Sequence, residues 1–168
     1  SLDRKRFALA GSSAGGQMAA LIGTLNGKGT LYRVKTHRCT SDKVQAVVNI
    51  DGILAFIHPE SGEGNDQPGK TSSATTWFGV SRDEKPALWM EASALNHVNR
   101  RSAPVLFINS SFPRFHAGRD DYIRKLDALN IPYVVHDIPG TPHTFWLFNP
   151  WFEQTVNYMD QFLKGIFN

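Results

Sequence analysis

Ser13 stands at the centre of Gly11-Ser12-Ser13-Ala14-Gly15, and His143 lies far downstream in "PGTPHTF". A serine hydroxyl becomes a nucleophile when a histidine accepts its proton and a carboxylate steadies that histidine. The pentapeptide has the form Gly-x-Ser-x-Gly between an apolar run and a helical pattern, the setting of a nucleophile elbow. There Ser13 would project from a sharp strand-to-helix turn, with Ser12 a bystander. Gly11 and Gly15 are expected to let the neighbouring chain pass without a Cβ clash. The first helical N–H, that of Ala14, would point at a developing oxyanion. A glycine-rich turn can instead cradle phosphate at a helix N-terminus. The Walker lysine and the Gly-x-Gly-x-x-Gly spacing are both absent here.

Of the six histidines, His143 alone follows the last apolar strand pattern and precedes the final helix. That is the place of a general base in the order serine, acid, histidine. His136 falls inside a strand pattern, and His37, His58 and His97 fall in poorly specified segments. His116, in "PRFHAGRDD", is the rival base or a residue lining the site.

The elements that must position these groups alternate in type. Phe7-Ala8-Leu9-Ala10 predicts a short buried strand. Met18, Leu21, Ile22 and Leu25 then predict one apolar helix face, stopped at Asn26-Gly27. Residues 46–50 predict a second strand, closed by Asp51-Gly52, and residues 60–76 a surface excursion rich in Gly, Ser, Asn and Pro. Residues 86–93 predict a short helix with Pro86 in its first turn. Residues 105–108 and 133–138 predict two more strands around a helix facing inward through Tyr122, Ile123, Leu126 and Leu129. A last helix opens at Asn149-Pro150, with Phe152, Val156, Met159, Leu163 and Ile166 as its stripe. This alternation implies an α/β fold with a parallel sheet covered by helices.

The 168 residues suffice for one domain, and 41% hydrophobic with 20% charged residues describe a globular chain. The net charge of +3 is scattered, densest at Arg4-Lys5-Arg6 and Arg100-Arg101. Without a basic stripe, nucleic acid is not an expected partner. No apolar run reaches membrane-spanning length. Cys39, the single cysteine, excludes an internal disulfide and a cysteine-based zinc site.

The segments "LDRKRFALAGSSAGGQMAALIG", "VQAVVNIDG", "WFGVSRDEKPALWMEASALNHV", "APVLFIN" and "IPGTPHTF" together resemble the C-terminal half of α/β-hydrolase esterases. The nearest likeness is to bacterial esterases that remove acetyl or feruloyl groups from plant polysaccharides. The resemblance covers nearly the whole chain. It implies strands five to eight of an eight-stranded, mostly parallel sheet, a Ser-His-acid triad, and neither cofactor nor metal. It implies an acylated carbohydrate as substrate, and a secreted or periplasmic location for a polysaccharide esterase.

The acid is where the resemblance breaks. Such enzymes usually carry it after the seventh strand, yet "NSSFPRFHAG" holds no carboxylate. Asp51 is the preferred substitute, because strand C-termini of a parallel sheet face the crevice; an Asp-Gly turn needs no function, however. Asp120 and Asp121 are alternatives, although acids favour a helix start through capping and the dipole alone. A weak or missing acid is the third possibility, which keeps a catalytically silent carbohydrate-binding relative in view. A peptidase or acyltransferase of the same fold is a further alternative. Near His143, "HTFWLFNPWF" offers Trp146 as a stacking surface for sugar or aromatic acyl groups, or as the start of a core helix.

On this reading residues 1–168 form a single partial domain, beginning just before the sheet's central strand. Its first strand would expose an unpaired edge. The expected partner is therefore the N-terminal half of the same hydrolase, or a swapped copy, which would also bring the second oxyanion donor.

Overall fold

Short runs of Ala, Val, Leu, Ile and Phe become four strands: β1 (Ala8–Ser12), β2 (Ala46–Ile50), β3 (Val105–Asn109) and β4 (Tyr133–Asp137). They pair in parallel in the order β1-β2-β3-β4. The computed structural model describes residue 3, residues 5–26, residue 41 and residues 43–168. Arg4, Gly27, His37 and Cys39 lie outside the described residues.

Side chains alternate across the pleat. Val47, Val105 and Phe107 meet residues of α1 (Ala14–Leu25) and α4 (Arg119–Leu129) on one face. Ala46, Val48, Ile50, Leu106 and Ile108 meet α5 (Trp151–Phe167) on the other. β2 and β3 are buried at every position, as central strands covered on both faces must be.

β1 departs from the expected buried strand. It runs from Ala8 to Ser12, is half-buried, and leaves Ala10 exposed. The cause is its place in the sheet, since β2 is its only strand partner among the described residues.

The inward face of α1 also differs from expectation. Gly16, Gln17, Ala19, Ala20, Gly23 and Thr24 are buried, whereas Met18 and Ile22 are 46% and 48% exposed. The helix lies too close to the sheet for large side chains: a Cβ on Gly23 would sit 2.2 Å from Cγ2 of Val47. Asn26 closes α1 and exchanges two hydrogen bonds with the Val44 backbone.

In α4 the expected face packs inward, with Tyr122 and Leu126 buried and Ile123 and Leu129 against them. The Tyr122 hydroxyl meets Oγ1 of Thr24 at 2.6 Å, and burial pushes its pKa up to about 12. α5 opens at Trp151, with Pro150 as its cap. Its packed side runs through Trp151, Thr155, Met159 and Phe162. Phe152 and Val156, expected on the stripe, are exposed, because each lies about 100° round the helix from a packed neighbour.

The surface excursion ends in a one-and-a-half-turn helix, α2 (Ser73–Phe78). Asp66 ties it together, accepting from the Ser72 N–H at 2.6 Å and from Thr75 Oγ1 at 2.8 Å. The Ser72 contact leads in holding the Asp66 carboxyl below its ordinary value. α3 (Pro86–Glu91) starts on Pro86 as expected, and Trp89 joins Phe56 and Ala74 in a small satellite core. No helix among the described residues is long and apolar enough to cross a membrane.

Candidate active site

Parallel pairing brings the C-terminal ends of β1, β2 and β3 to one level. Ser12 pairs with Ile50, Ile50 with Ile108, and each chain then turns over the sheet edge. Ser13 and Asp51 are the first residues past their strands. Their N–H groups still donate across the sheet, to the carbonyls of Ile50 at 2.8 Å and Ile108 at 3.0 Å.

Both residues have positive φ, 53° at Ser13 and 48° at Asp51. For a residue with a Cβ that backbone is strained by about 1–3 kcal/mol and must be held by its surroundings. At Ser13 the hold is the near contact of β1 with the first turn of α1. A Cβ on Gly11 would lie 2.2 Å from the Gly15 carbonyl oxygen, so only glycine fits there. Gly15, expected to play a matching part, has nothing within 4 Å of its would-be Cβ among the described residues. The second tight position is Gly52, where a Cβ would lie 2.4 Å from the Gln17 nitrogen. Asn49 braces that turn, donating to the Gly52 carbonyl at 3.0 Å and accepting the Gly52 N–H at 2.8 Å.

His143 is carried by the loop after β4. Gly140 at φ 72° turns that loop, and Thr141 Oγ1 donates to the Ile138 carbonyl at 2.7 Å. The imidazole lies between the two strand ends. Nε2 is 2.9 Å from Ser13 Oγ, and Nδ1 is 3.0 Å from Asp51 Oδ2. The Asp51 side chain has no solvent exposure and that of His143 has 20%. The other carboxylate oxygen, Oδ1, accepts the Ser110 N–H at 2.8 Å and, at a long 3.5 Å, the Asn109 amide. Asn109 in turn accepts from Arg119 Nη1 at 2.9 Å. Burial opposes the charge of Arg119, yet Asp120 and Asp137 outweigh it and raise its pKa.

The other candidates lie elsewhere. Asp120 accepts from Arg119 Nε at 3.0 Å and makes no hydrogen bond to His143. Asp121 pairs with Arg124 and with His58. His116 makes no hydrogen bond among the described residues. Burial, and then Arg119, push its pKa below the ordinary 6.5, against the pull of Asp51, Asp137 and Glu60. His136 stacks on Tyr158 at 3.6 Å, and His97 contacts the Glu91 carbonyl. Trp146 packs edge-on against His143 at 5.3 Å and joins the core under α5. Neither Trp146 nor His116 lines the cavity that opens from Ser13.

That cavity is about 580 Å³, with Ala14, Gln17, Glu63, Trp77, Arg114 and Phe115 on its wall. Phe115 went unremarked in the sequence although it stacks flat on His143, 3.5 Å between centroids and 11° between planes. Asn109 was missed too. Its signal was an amide closing an otherwise apolar strand, where a buried polar group must find partners. No group of three His, Cys, Asp or Glu side chains among the described residues could hold a metal ion.

A covered parallel sheet, a serine strained at a strand-to-helix turn and a histidine loop after the last strand define the C-terminal half of an α/β-hydrolase. Residues 1–113 match the family described as BD-FAE, and the chain belongs to that α/β-hydrolase esterase family. Among solved structures it is similar to a truncated carbohydrate esterase from gut microbiota. The TM-score is 0.71 at 18% identity, over 95% of this chain and 61% of that one. It is also similar to an acetyl ester-xyloside bifunctional hydrolase from Caldicellulosiruptor lactoaceticus. There the TM-score is 0.67 at 16% identity, over 98% of this chain and 58% of that one. A bifunctional GH43-CE protein from Bacteroides eggerthii gives a TM-score of 0.72 at 20% identity, over 97% of this chain and 22% of that one. The chain thus spans less than two thirds of the length of each. No curated protein sequence matches it.

Proposed function

We propose that this protein is a serine esterase that removes acyl groups from carbohydrate, with Ser13, His143 and Asp51 as its triad. The observation that carries the reading is the continuous relay from Ser13 Oγ through His143 to a fully buried carboxylate, at 2.9 and 3.0 Å. In this mechanism His143 Nε2 takes the proton as Ser13 Oγ attacks the ester carbonyl. Asp51 keeps the other imidazole proton on Nδ1 and stabilises the imidazolium that forms. The Ala14 N–H, free of any intrahelical acceptor in the first turn, donates to the oxyanion. Collapse expels the sugar alcohol with the proton from His143 and leaves acyl-Ser13. Water, activated by the same imidazole, then releases the acid.

Carbohydrate as the alcohol is supported by two of the similar structures, described as a carbohydrate esterase and an acetyl ester-xyloside hydrolase. The test is fluorophosphonate labelling of the full-length protein with acetate release from acetylated xylan. An adduct on Ser13 and release that Ser13→Ala abolishes are expected. Absence of both would overturn the reading in favour of a binding protein.

The edge of β1 that has no strand partner among the described residues, with the exposed Met18 and Ile22, supports a second part of the proposal. Further strands, from the same hydrolase or from a swapped copy, pair with β1 and supply the other oxyanion donor. Residues 1–168 expressed alone should associate or aggregate. A monodisperse, cooperatively folding monomer at high concentration would refute this.

A further inference from the structure

We infer that the cavity selects an acylated sugar that itself bears a carboxylate, a hexuronate, with Arg114 as the partner of that carboxylate. The inference rests on the esterase reading and narrows its substrate.

Arg114 is an exposed cation without a carboxylate. Arg6, Arg82, Arg119 and Arg124 each meet an aspartate. Arg114 meets none among the described residues and donates no hydrogen bond there. Arg100 and Arg101 also meet no carboxylate among the described residues, but they are not part of the cavity wall. Arg114 nonetheless rests on an aromatic ring. Its guanidinium carbon lies 4.2 Å from the Phe115 ring centroid. With no hydrogen bond donated among the described residues, its N–H groups are open to a planar, bidentate acceptor.

The stack also sets the distance to the chemistry. His143 covers one face of Phe115 at 3.5 Å, so the guanidinium occupies the other face. Arg114 is therefore one aromatic ring away from the general base, within the reach of a pyranose whose ester sits at Ser13. Of the two carboxylates on the wall, Asp51 is taken by His143 and Ser110. Glu63 accepts the Ala74 N–H at 3.1 Å through one oxygen and makes no ion pair with Arg114 among the described residues. Lys70 adds a second cation to the same wall, and Trp77, 61% exposed, adds an indole face on which a sugar ring can stack. A neutral sugar leaves the Arg114 donors to water, whereas a hexuronate satisfies them.

The experiment compares kcat/KM of the full-length protein on monoacetylated methyl galactosiduronate and monoacetylated methyl galactoside. A second pair, 4-nitrophenyl hemisuccinate and 4-nitrophenyl acetate, moves the charge to the acyl side. A charge-assisted bidentate contact should favour the uronate about 10- to 100-fold. Arg114→Gln should collapse that ratio, Arg114→Lys should restore part of it, and high salt should weaken it. A uronate ratio near one, or a ratio that Arg114→Gln does not move, overturns the inference. A preference confined to the hemisuccinate overturns the placement of the charge on the sugar. Cleavage of no ester at all would mean that the esterase reading had failed first, taking this inference with it.

Discussion

Replacing Asp51 with Asn keeps the shape of the side chain and removes its charge. The wild-type carboxylate is fully buried and faces two kinds of donor, the Ser110 N–H at 2.8 Å and the imidazole Nδ1 at 3.0 Å. In the variant the amide oxygen keeps the Ser110 contact, and the NH2 group turns to Nδ1. An NH2 donor there forces the imidazole proton onto Nε2, the atom 2.9 Å from Ser13 Oγ. Nε2 can then no longer accept the serine proton. In serine proteases this same change of tautomer lowers kcat by about 10⁴, equivalent to about 5 kcal/mol of barrier. Because the Asp51 side chain is closed off from solvent, a loss of similar size is expected here. The assay is kcat on 4-nitrophenyl acetate, with circular dichroism to show that the variant is folded. Asp120→Asn is the control: its partner is the Arg119 Nε, its side chain is 64% exposed, and kcat should change less than about threefold. The reasoning is refuted if folded Asp51→Asn keeps more than a tenth of wild-type kcat, or if Asp120→Asn loses as much.

Gly11→Ala drives a methyl into the Gly15 carbonyl and should cost about 1–3 kcal/mol or more of unfolding free energy, read from urea titrations; a neutral variant would show that the elbow can relax. Phe115→Ala removes the ring stacked on His143 and should lower kcat about 2- to 10-fold, with single-turnover kinetics placing the loss in acylation. Tyr122→Phe deletes one side of a buried pair while Thr24 keeps its bond to the Ala20 carbonyl, so a loss of about 0.5–1.5 kcal/mol in stability is expected. The folded pKa of His116 is depressed below 6.5, so the unfolded chain binds the proton first as pH falls. The stability this group contributes is present above about pH 6.5 and is lost as pH drops through the folded value. His116→Gln should therefore show a smaller fall in urea midpoint between pH 8 and pH 5 than the wild type, and an equal fall would contradict the shift.

Ser13 and His143 were legible as candidates because each is marked locally, one by the glycines around it and one by its place between the last strand and helix. The strand centres were legible for a similar reason, since runs such as Val105 to Ile108 have no other way to be buried. The carboxylate partner of His143 was legible only as a choice. Whether Asp51 or Asp120 meets the imidazole depends on strand register and on where Arg119 points, which pairwise spacing does not encode. The inward face of α1 was misread because apolar periodicity assumes that large residues face the sheet. The contact between Gly23 and Val47 reverses that rule by drawing the helix in. Phe115 was invisible for a related reason, as a stack on a residue 28 positions away leaves no periodic trace.

The carboxylate-free stretch after β3 makes sense once Asp51 is in place. β2 and β3 are adjacent parallel strands, about 4.8 Å apart, so a carboxylate from the end of either can reach an imidazole held above both. Only one can be accommodated. A second carboxylate at position 110 would face the buried Asp51 with no cation between them, and one of the two would be forced to take up a proton. With the carboxylate that meets His143 at the end of β2, the end of β3 has to be a source of donors. Ser110 supplies a backbone N–H and Asn109 an amide, and Asn109 is itself oriented by Arg119 from α4. Arg119 thus orients the Asn109 amide towards Asp51 without forming an ion pair that would compete with His143. The carboxylate-free stretch after β3 and the donor-rich end of that strand are two halves of one arrangement.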